Sequence, residues 1–217
     1  QRQMCIRDSS QTFVETMERL ENALLPGEGD LSSQISNFFR TLSDVEASPG
    51  DLAPRAAAIE QGNGLANAFN VTAFVLRDLE AQIAGTIDQE VSEVNRLVSS
   101  LGSVNGKLRS SNLGASPPNA LMDERDRLIA EISKKVRISV NYGPRHDVNV
   151  RLGEHQTGPL LLDGERRQVI QPIYGEKNGV SFKLGSSKVI KMLDDGGLRG
   201  LSTALSVIQD THSQVDT

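Results

Sequence analysis

Three groups of side chains have the right types for chemistry, and their spacing decides what each can do. The chain carries three histidines, His146, His155 and His212. His146 and His155 sit nine residues apart in turn-like sequence, and His212 is remote from both. Neither H-x-x-x-H nor H-x-H occurs, so no short spacing gathers imidazoles for a metal. All three are expected to be exposed and without a metal. Asp123, Glu124 and Asp126 form a carboxylate cluster of the kind used in general acid–base work. Arg125 and Arg127 lie among them, and at helical spacing such mixed charges pair locally. Arg125 is also placed to pair with another helix. Asp194-Asp-Gly-Gly197 offers hard oxygen ligands, but it lacks the D-x-D-x-D-G-x5-E pattern of a calcium loop. A turn followed by a helix cap is the better reading.

The remaining signals also fall short of a catalytic set. Gly62-Asn-Gly64 and the Gly102/Gly106 pair match no phosphate-binding or dinucleotide fingerprint. No G-x-S-x-G elbow presents any of the serines. Catalytic residues, cofactor-binding residues and metal ligands are therefore all assigned as none, no cofactor is expected, and the chain is not expected to be an enzyme.

Composition narrows the classes further. In 217 residues there are 23 Lys plus Arg against 28 Asp plus Glu, a formal net charge of −5. That balance disfavours a general nucleic-acid binder, which needs a basic stripe against phosphates. The single cysteine, Cys5, excludes an intrachain disulfide framework and a cysteine-based zinc cluster. No apolar run approaches the roughly 20 residues of a membrane-spanning helix. Aromatic residues make up 4%, a poor supply for lining a ligand pocket. Length allows one large domain or two small ones.

The elements come from hydrophobic period. Gln1–Ser9 has no useful periodicity and reads, to about residue 10, as a disordered or foreign leader. Phe13, Val14, Met17, Leu20 and Leu24 mark an amphipathic helix that ends at Pro26-Gly27. Asp30 caps a second helix with a stripe of Leu31, Ile35, Phe38, Phe39, Leu42 and Val45. Ser48-Pro-Gly50 breaks it. Asp51 caps a third, with Pro54 in its first turn, and Gly62 and Gly64 predict a bend. From Leu65 to about Arg109 the pattern is long. Val91, Val94, Val98, Leu101, Val104 and Leu108 step by three and four residues, a mean near 3.5, which is a coiled-coil-like seam. Its length predicts a rod. Ser110–Pro118 is a loop, and Asn119 caps a helix over 120–135 on which Leu121, Leu128, Ile129 and Ile132 share a face.

After Lys135 the period drops to two. Short strands are expected at 138–140, 148–152, 160–162, 168–170, 180–184 and 189–192, with turns at 142–147, Asp163-Gly164 and Asn178-Gly179. Leu198, Leu201, Leu205, Ile208 and Val215 then form a helix that packs back on the first part. The expected class is α+β: an elongated helical bundle (11–135 and 197–217) with an inserted antiparallel β-rich domain (136–196). The last residues stop inside a helical pattern, which suggests a fragment with elements missing on both sides.

Two blocks in series carry a family resemblance. The first, from Leu31 to Asn70, places Phe38, Phe39, Leu42, Pro49, Asp51, Arg55, Leu65, Phe69 and Asn70 in an L…FF…L…P-D…R pattern followed by LA..FN. The second, Asn119-ALMDERDRLIAEIS133, contributes Leu121, Asp123, Arg125, Asp126 and Leu128. The Gly196-Gly-Leu-Arg-Gly-Leu201 entry to the last helix fits the same order. Together they resemble the flagellar hook-associated protein 1 (FlgK) family over about Leu31–Val215.

The resemblance implies an extracellular structural protein of the bacterial flagellum, exported by flagellar type III secretion and without a cleavable signal. It implies a ring of self-associating subunits between hook and filament. Partners would be hook protein, neighbouring hook-associated proteins and, for the full-length chain, an export chaperone. From the charge balance and the lack of a long apolar run, no partner is expected among nucleic acids or membranes. The family's terminal rod-like motif and C-terminal helix find no match, so this stretch corresponds to the middle domains and is expected to be monomeric by itself. Two other readings remain: an extracellular adhesin or binding module using the 136–196 sheet, and another flagellar axial protein such as flagellin or a different hook-associated protein.

Overall fold

In the computed structural model the described residues are 2–24, 31–111, 119–175, 179–186, 188–190 and 193–215. Their elements are α1 (Arg2–Leu24), α2 (Leu31–Ala47), α3 (Leu52–Ser110), α4 (Asn119–Lys135), β1 (Ile138–Tyr142), β2 (Val148–Leu152), β3 (Leu160–Asp163), β4 (Arg166–Arg167), β5 (Ile170–Tyr174), β6 (Val180–Leu184), β7 (Lys188–Ile190) and α5 (Gly197–Val215). The expected turn at Pro26-Gly27, the Asp30 cap, the Pro117-Pro118 break, Asn178 and the strand end at 191–192 lie outside the described residues.

α3 is the axis of the molecule. It starts at Asp51, whose carboxylate accepts the Ala53 N–H at 3.1 Å. It ends at Ser111, whose N–H donates to the Lys107 carbonyl and whose hydroxyl donates to Leu108 at 2.7 Å. Its 59 residues span about 90 Å at 1.5 Å per residue. The bend expected at Gly62 and Gly64 does not end the helix. Gly62 lies under the Phe38 ring of α2, where a Cβ would approach to 3.3 Å, so the lost helix propensity is offset by close packing. α2 lies against the first part of α3, α1 lies against α5, and α3 also carries α4 and α5. α1 takes in residues 2–10, expected as a disordered leader. A helix needs only its backbone hydrogen bonds, whereas the stripe that periodicity detects begins at Phe13.

The strands form two antiparallel meanders, β1-β2-β3-β4 and β5-β6-β7. Alternation sets their faces: Val148, Val150 and Leu152 of β2, and Val180, Phe182 and Leu184 of β6, are buried while their neighbours are partly exposed. This is the half-covered antiparallel pattern. Asp163 opposes Arg166 across a two-residue turn in which Gly164 takes φ +60, a conformation that glycine adopts without strain. There are seven strands among the described residues, against about six expected. β4 was not foreseen because Arg166–Arg167 is two exposed residues long with no apolar alternation. β5 starts at Ile170 and runs through Pro172. It is an edge strand, where a missing N–H is tolerated.

One buried cluster joins both halves of the chain. It runs along α3 from Leu76 to Leu108, takes Leu128, Ile129 and Ile132 from α4 and Leu198, Leu201, Leu205 and Ile208 from α5. The inward residues of β2, β3, β5 and β6 enter the same cluster.

Candidate functional site

The side chains with chemical potential serve mainly to tie elements together. Asn105 is fully buried on α3. Its Nδ2 donates to the Val148 and Gly164 carbonyls, each at 2.7 Å, and its Oδ1 accepts the Val148 N–H at 3.0 Å. Three turns earlier Asn95 does the same for the other sheet: Nδ2 donates to the Ile170 carbonyl at 2.8 Å and Oδ1 accepts the Ile170 N–H at 2.9 Å. Each amide stands in for a neighbouring strand: Asn105 takes up Val148 and Gly164, just beyond the end of the β2–β3 pairing, and Asn95 takes up Ile170 on the edge strand β5, backbone groups that would otherwise be buried without partners. Asparagine is a poor helix former, and its presence within the apolar seam was the available signal for such a role.

The expected ionic face on α4 is present. Arg127 pairs with Glu124 at 2.7 Å and reaches Glu131 at 3.7 Å, and Arg125 pairs with Asp126 at 2.7 Å. The Arg127 hydrogen bond is the main reason the Glu124 carboxyl lies below its usual range. Arg125 departs from expectation. It is 7% exposed, and its long-range partners lie in the β1–β2 hairpin, not on another helix. Nη1 donates to the His146 carbonyl at 2.7 Å, and the guanidinium sits 4.9 Å from the Tyr142 ring centroid. Both contacts are possible because a planar guanidinium can bond at its edge and stack on its face. Asp123 is exposed on the same helix.

The histidines divide. His146 and His155 are exposed as expected, with His146 in a left-handed turn conformation, φ 62. His212 is corrected: it is partly buried between α5 and α3, with Nδ1 2.7 Å from Glu80 Oε1 and Nε2 accepting from Arg77 Nε at 3.2 Å. At the turn before α5, Asp195 is buried and pairs with Arg137 at 3.2 Å, while Arg137 also reaches Glu154 at 3.1 Å. Lys135 and Glu90 join α4 to α3 at 2.6 Å. The Tyr174 hydroxyl donates to the α3 residues Ala84 and Asp88, at 2.9 and 2.8 Å. Burial first, then the Asp88 carboxylate, raises that phenol above its ordinary range.

The seam residues Val91, Val94, Val98, Leu101, Val104 and Leu108 are all buried. Leu128 is buried too, and Leu121 packs on the edge of the core. The first family block lies elsewhere, on the α2–α3 arm. Asp51 caps α3, Arg55 donates to the Pro49 carbonyl, and Phe38 and Phe39 have ring centroids 5.9 Å apart. Leu65 and Phe69 are half-buried and Asn70 is exposed. Phe39 and Leu42 are exposed at 62% and 41%, and Leu52, Ile59, Val71 and Phe74 are exposed as well. Thus the motif builds the turn of the arm while part of its apolar surface stays open.

Among the described residues no catalytic geometry emerges. A cleft of about 160 Å³ beside Arg137, His155 and Asp194 is smaller than the roughly 300 Å³ at which ligand pockets begin. An open groove past Leu160, Gln168 and Gln171 has one charged lining residue, Arg167, which donates to Ser99. Among the described residues no three His, Cys, Asp or Glu come together to hold a metal, and no helix is long and apolar enough to cross a membrane.

Comparison with known proteins agrees with the order of these motifs. Residues 17–217 match the family model of the flagellar hook-associated protein FlgK helical domain. Flagellar hook-associated protein 1 of Salmonella typhimurium is 32% identical over 202 residues, covering 88% of this chain and 36% of the relative. That of Escherichia coli K12 is 27% identical over 199 residues, 87% and 36%. That of Bacillus subtilis is 24% identical over 171 residues, 78% and 34%. The chain therefore spans about a third of the length of these relatives. Among solved structures, the flagellar hook junction protein FlgK from Burkholderia pseudomallei superposes with a TM-score of 0.76 at 20% identity, over 92% of this chain and 37% of that one. That similarity shows a shared fold.

Proposed function

The chain belongs to the flagellar hook-associated protein FlgK family, and from that membership we propose that it is the helical middle part of a structural subunit at the junction between flagellar hook and filament. The observation that carries this reading is the family match across residues 17–217. The structure supports it physically. Polar side chains that elsewhere do chemistry here join helices to sheets, as Asn95, Asn105, Arg125 and Arg137 do. A subunit that transmits force along a polymer needs such ties more than it needs a pocket.

In this reading the full-length protein is exported through the flagellar type III pathway with a chaperone and is extracellular. It self-associates in a ring, contacts hook protein on one side and neighbouring hook-associated proteins on the other, and has no enzymatic activity. The 11–135 and 197–217 segments form the helical unit, and 136–196 is the β-rich part it carries. The residues of the first block, Phe38 to Asn70, shape the α2–α3 arm, and the second block, Leu121 to Leu128, anchors α4. The test is an in-frame deletion of this stretch from the full-length gene in its own bacterium. Electron microscopy is expected to show hooks without filaments, with flagellin released into the medium. Filaments attached in normal number would refute the proposal.

A further inference from the structure

The second sheet leaves one face uncovered, and the charge around it is opposite to that of the rest of the chain. Ile170 of β5 and Val180, Phe182 and Leu184 of β6 are buried in the core. By the strand register the other face carries Gln171, Lys183 and Val189 in one row, with Ile173 opposite Ser181 in the next. Ile173 and Val189 are 41% and 56% exposed. Val169 continues the same side just before β5, bonded through its carbonyl to the Gly185 N–H. The open groove with Arg167 on its wall adjoins the face there. None of these residues is a carboxylate. Residues 166–192 hold six Lys or Arg and one acidic residue, Glu176, a local net charge of +5. The whole chain is at −5, so the remainder carries −10.

That acid includes a helix face of matching size. On α1, Val14 is 50% exposed, and Glu18 and Glu21 are exposed beside it. At about 100° per residue they lie about 40° and 20° to either side of Val14, with the buried Thr16 and Leu20 on the opposite side. Arg19, the only base from Ser10 to Glu21, falls outside that sector. Val14 to Glu21 covers about 10 Å of helix. The sheet face measures about 13 Å from Val169 to Ile173 and about 10 Å across its three strands.

We propose that the outer face of β5–β6–β7 docks the Val14–Glu18–Glu21 face of α1 from a second copy of this chain. Lys183 meets the two glutamates, and Val14 settles among Ile173, Val189 and the Lys183 stem. The argument is charge complementarity between two surfaces of one molecule. Two different surfaces make a head-to-tail contact, which closes into a ring when the rotation between copies allows. The patch is far below the roughly 800 Å² per partner of a stable interface, so the contact forms where other parts of a polymer hold copies together. The 217-residue chain is expected to stay monomeric in dilute solution. The inference rests on the reading of this chain as a self-associating junction subunit and names the faces that meet there.

Charge reversal in the full-length gene, in its own bacterium, tests it. Lys183→Glu reverses the sheet face, and Glu18→Lys with Glu21→Lys reverses the helix face. Like charges across a contact oppose it, so each reversal is expected to lower the number of filaments attached to hooks at least about 10-fold. All three substitutions together are expected to restore attachment, because the pair is then mirrored. Normal attachment in either reversal overturns the proposal. So does loss without restoration, because another protein would then be the acidic partner. Carbodiimide cross-linking of isolated hook–filament junctions needs no variant and covers the case in which a reversal fails to fold. Lys183 joined to Glu18 or Glu21 is the expected product. Within one copy α1 packs on α5, α3 and α4, and the sheet face points away from that core, so such a product joins two copies. Its absence overturns the proposal. The deletion of the whole stretch is read separately: if that removes filaments while the reversals do not, the junction role stands and this contact alone fails.

Discussion

Two stretches of α3 carry similar apolar sequence and meet different surroundings. From Leu76 to Leu108 the apolar residues are buried by α4, α5 and strands from both sheets. From Leu52 to Val75 the only buried residue is Ala58, and α2, the main neighbour, buries none of its described residues. The helix itself is continuous across the boundary. Local pattern therefore made both stretches helical, while the number of neighbouring layers decided what each contributes to stability. Two helices side by side bury one stripe each, and a third layer is needed to close the remaining apolar surface.

That contrast can be broken or sharpened by substitution, and the largest effect belongs in the closed stretch. Leu101 is fully buried. Leu101→Ala is expected to destabilise the chain by about 2–5 kcal/mol through lost transfer energy and a residual cavity. The matching Ile59→Ala on the arm is expected to stay within about 0.5 kcal/mol. Urea unfolding of both variants measures the difference, and equal effects would mean that the arm is closed in solution.

Next comes the join between helix and sheet. Asn105→Ala leaves the Val148 N–H and two carbonyls without their buried partner, at about 1–3 kcal/mol for each group left unsatisfied. Chemical denaturation read by tyrosine fluorescence and by far-ultraviolet dichroism is expected to show a lowered midpoint in both signals. A midpoint shift in only one would show that sheet and helices unfold separately.

On the arm, Asp51→Ala removes the cap of α3. It is expected to loosen the first turns by about 0.5–2 kcal/mol. Because few contacts link these turns to the main core, faster amide exchange near 52–58 is expected, with the global midpoint almost unchanged.

The smallest effect is a titration. Tyr174 ties β5 to α3 as a neutral phenol, so folding favours its protonated form. Its contribution is fully present below the ordinary tyrosine pKa of about 10, and it is lost as pH rises through the higher folded value. In Tyr142→Phe, Tyr174 is the remaining tyrosine, and tyrosinate absorbance is expected to appear above the usual range. Asp88→Asn is expected to lower that midpoint.

Much of this was readable beforehand where one physical rule acted alone. The 3.5-residue seam from Val91 to Leu108, the Asp51 cap and the alternation in β2 and β6 each follow from local spacing. Reading failed where a distant partner overruled local preference. Helix α3 passes through Gly62 and Gly64 because Phe38 packs over the first of them. Gly102 and Gly106, weak helix formers by themselves, lie against the β3–β4 turn, where a Cβ on Gly106 would come within 2.9 Å of the Glu165 side chain. Pro172 joins a strand because β5 is an edge strand, and its missing N–H falls on the unpaired side, the side on which Asn95 binds Ile170 two residues earlier. His212 was read as exposed because nothing near it in sequence places Glu80 and Arg77 beside it.

The sequence by itself determined the periods, the caps and the motif order, because these depend on residues within a turn or two of one another. From them come the helical rod, the run of short strands and the family. The tertiary structure alone decided that helices and strands share one core and that Asn95 and Asn105 act as stand-in strands. It also decided that half of α3 stays open. Those outcomes depend on which surfaces meet across dozens of residues, and burial is a property of the meeting, not of the residue.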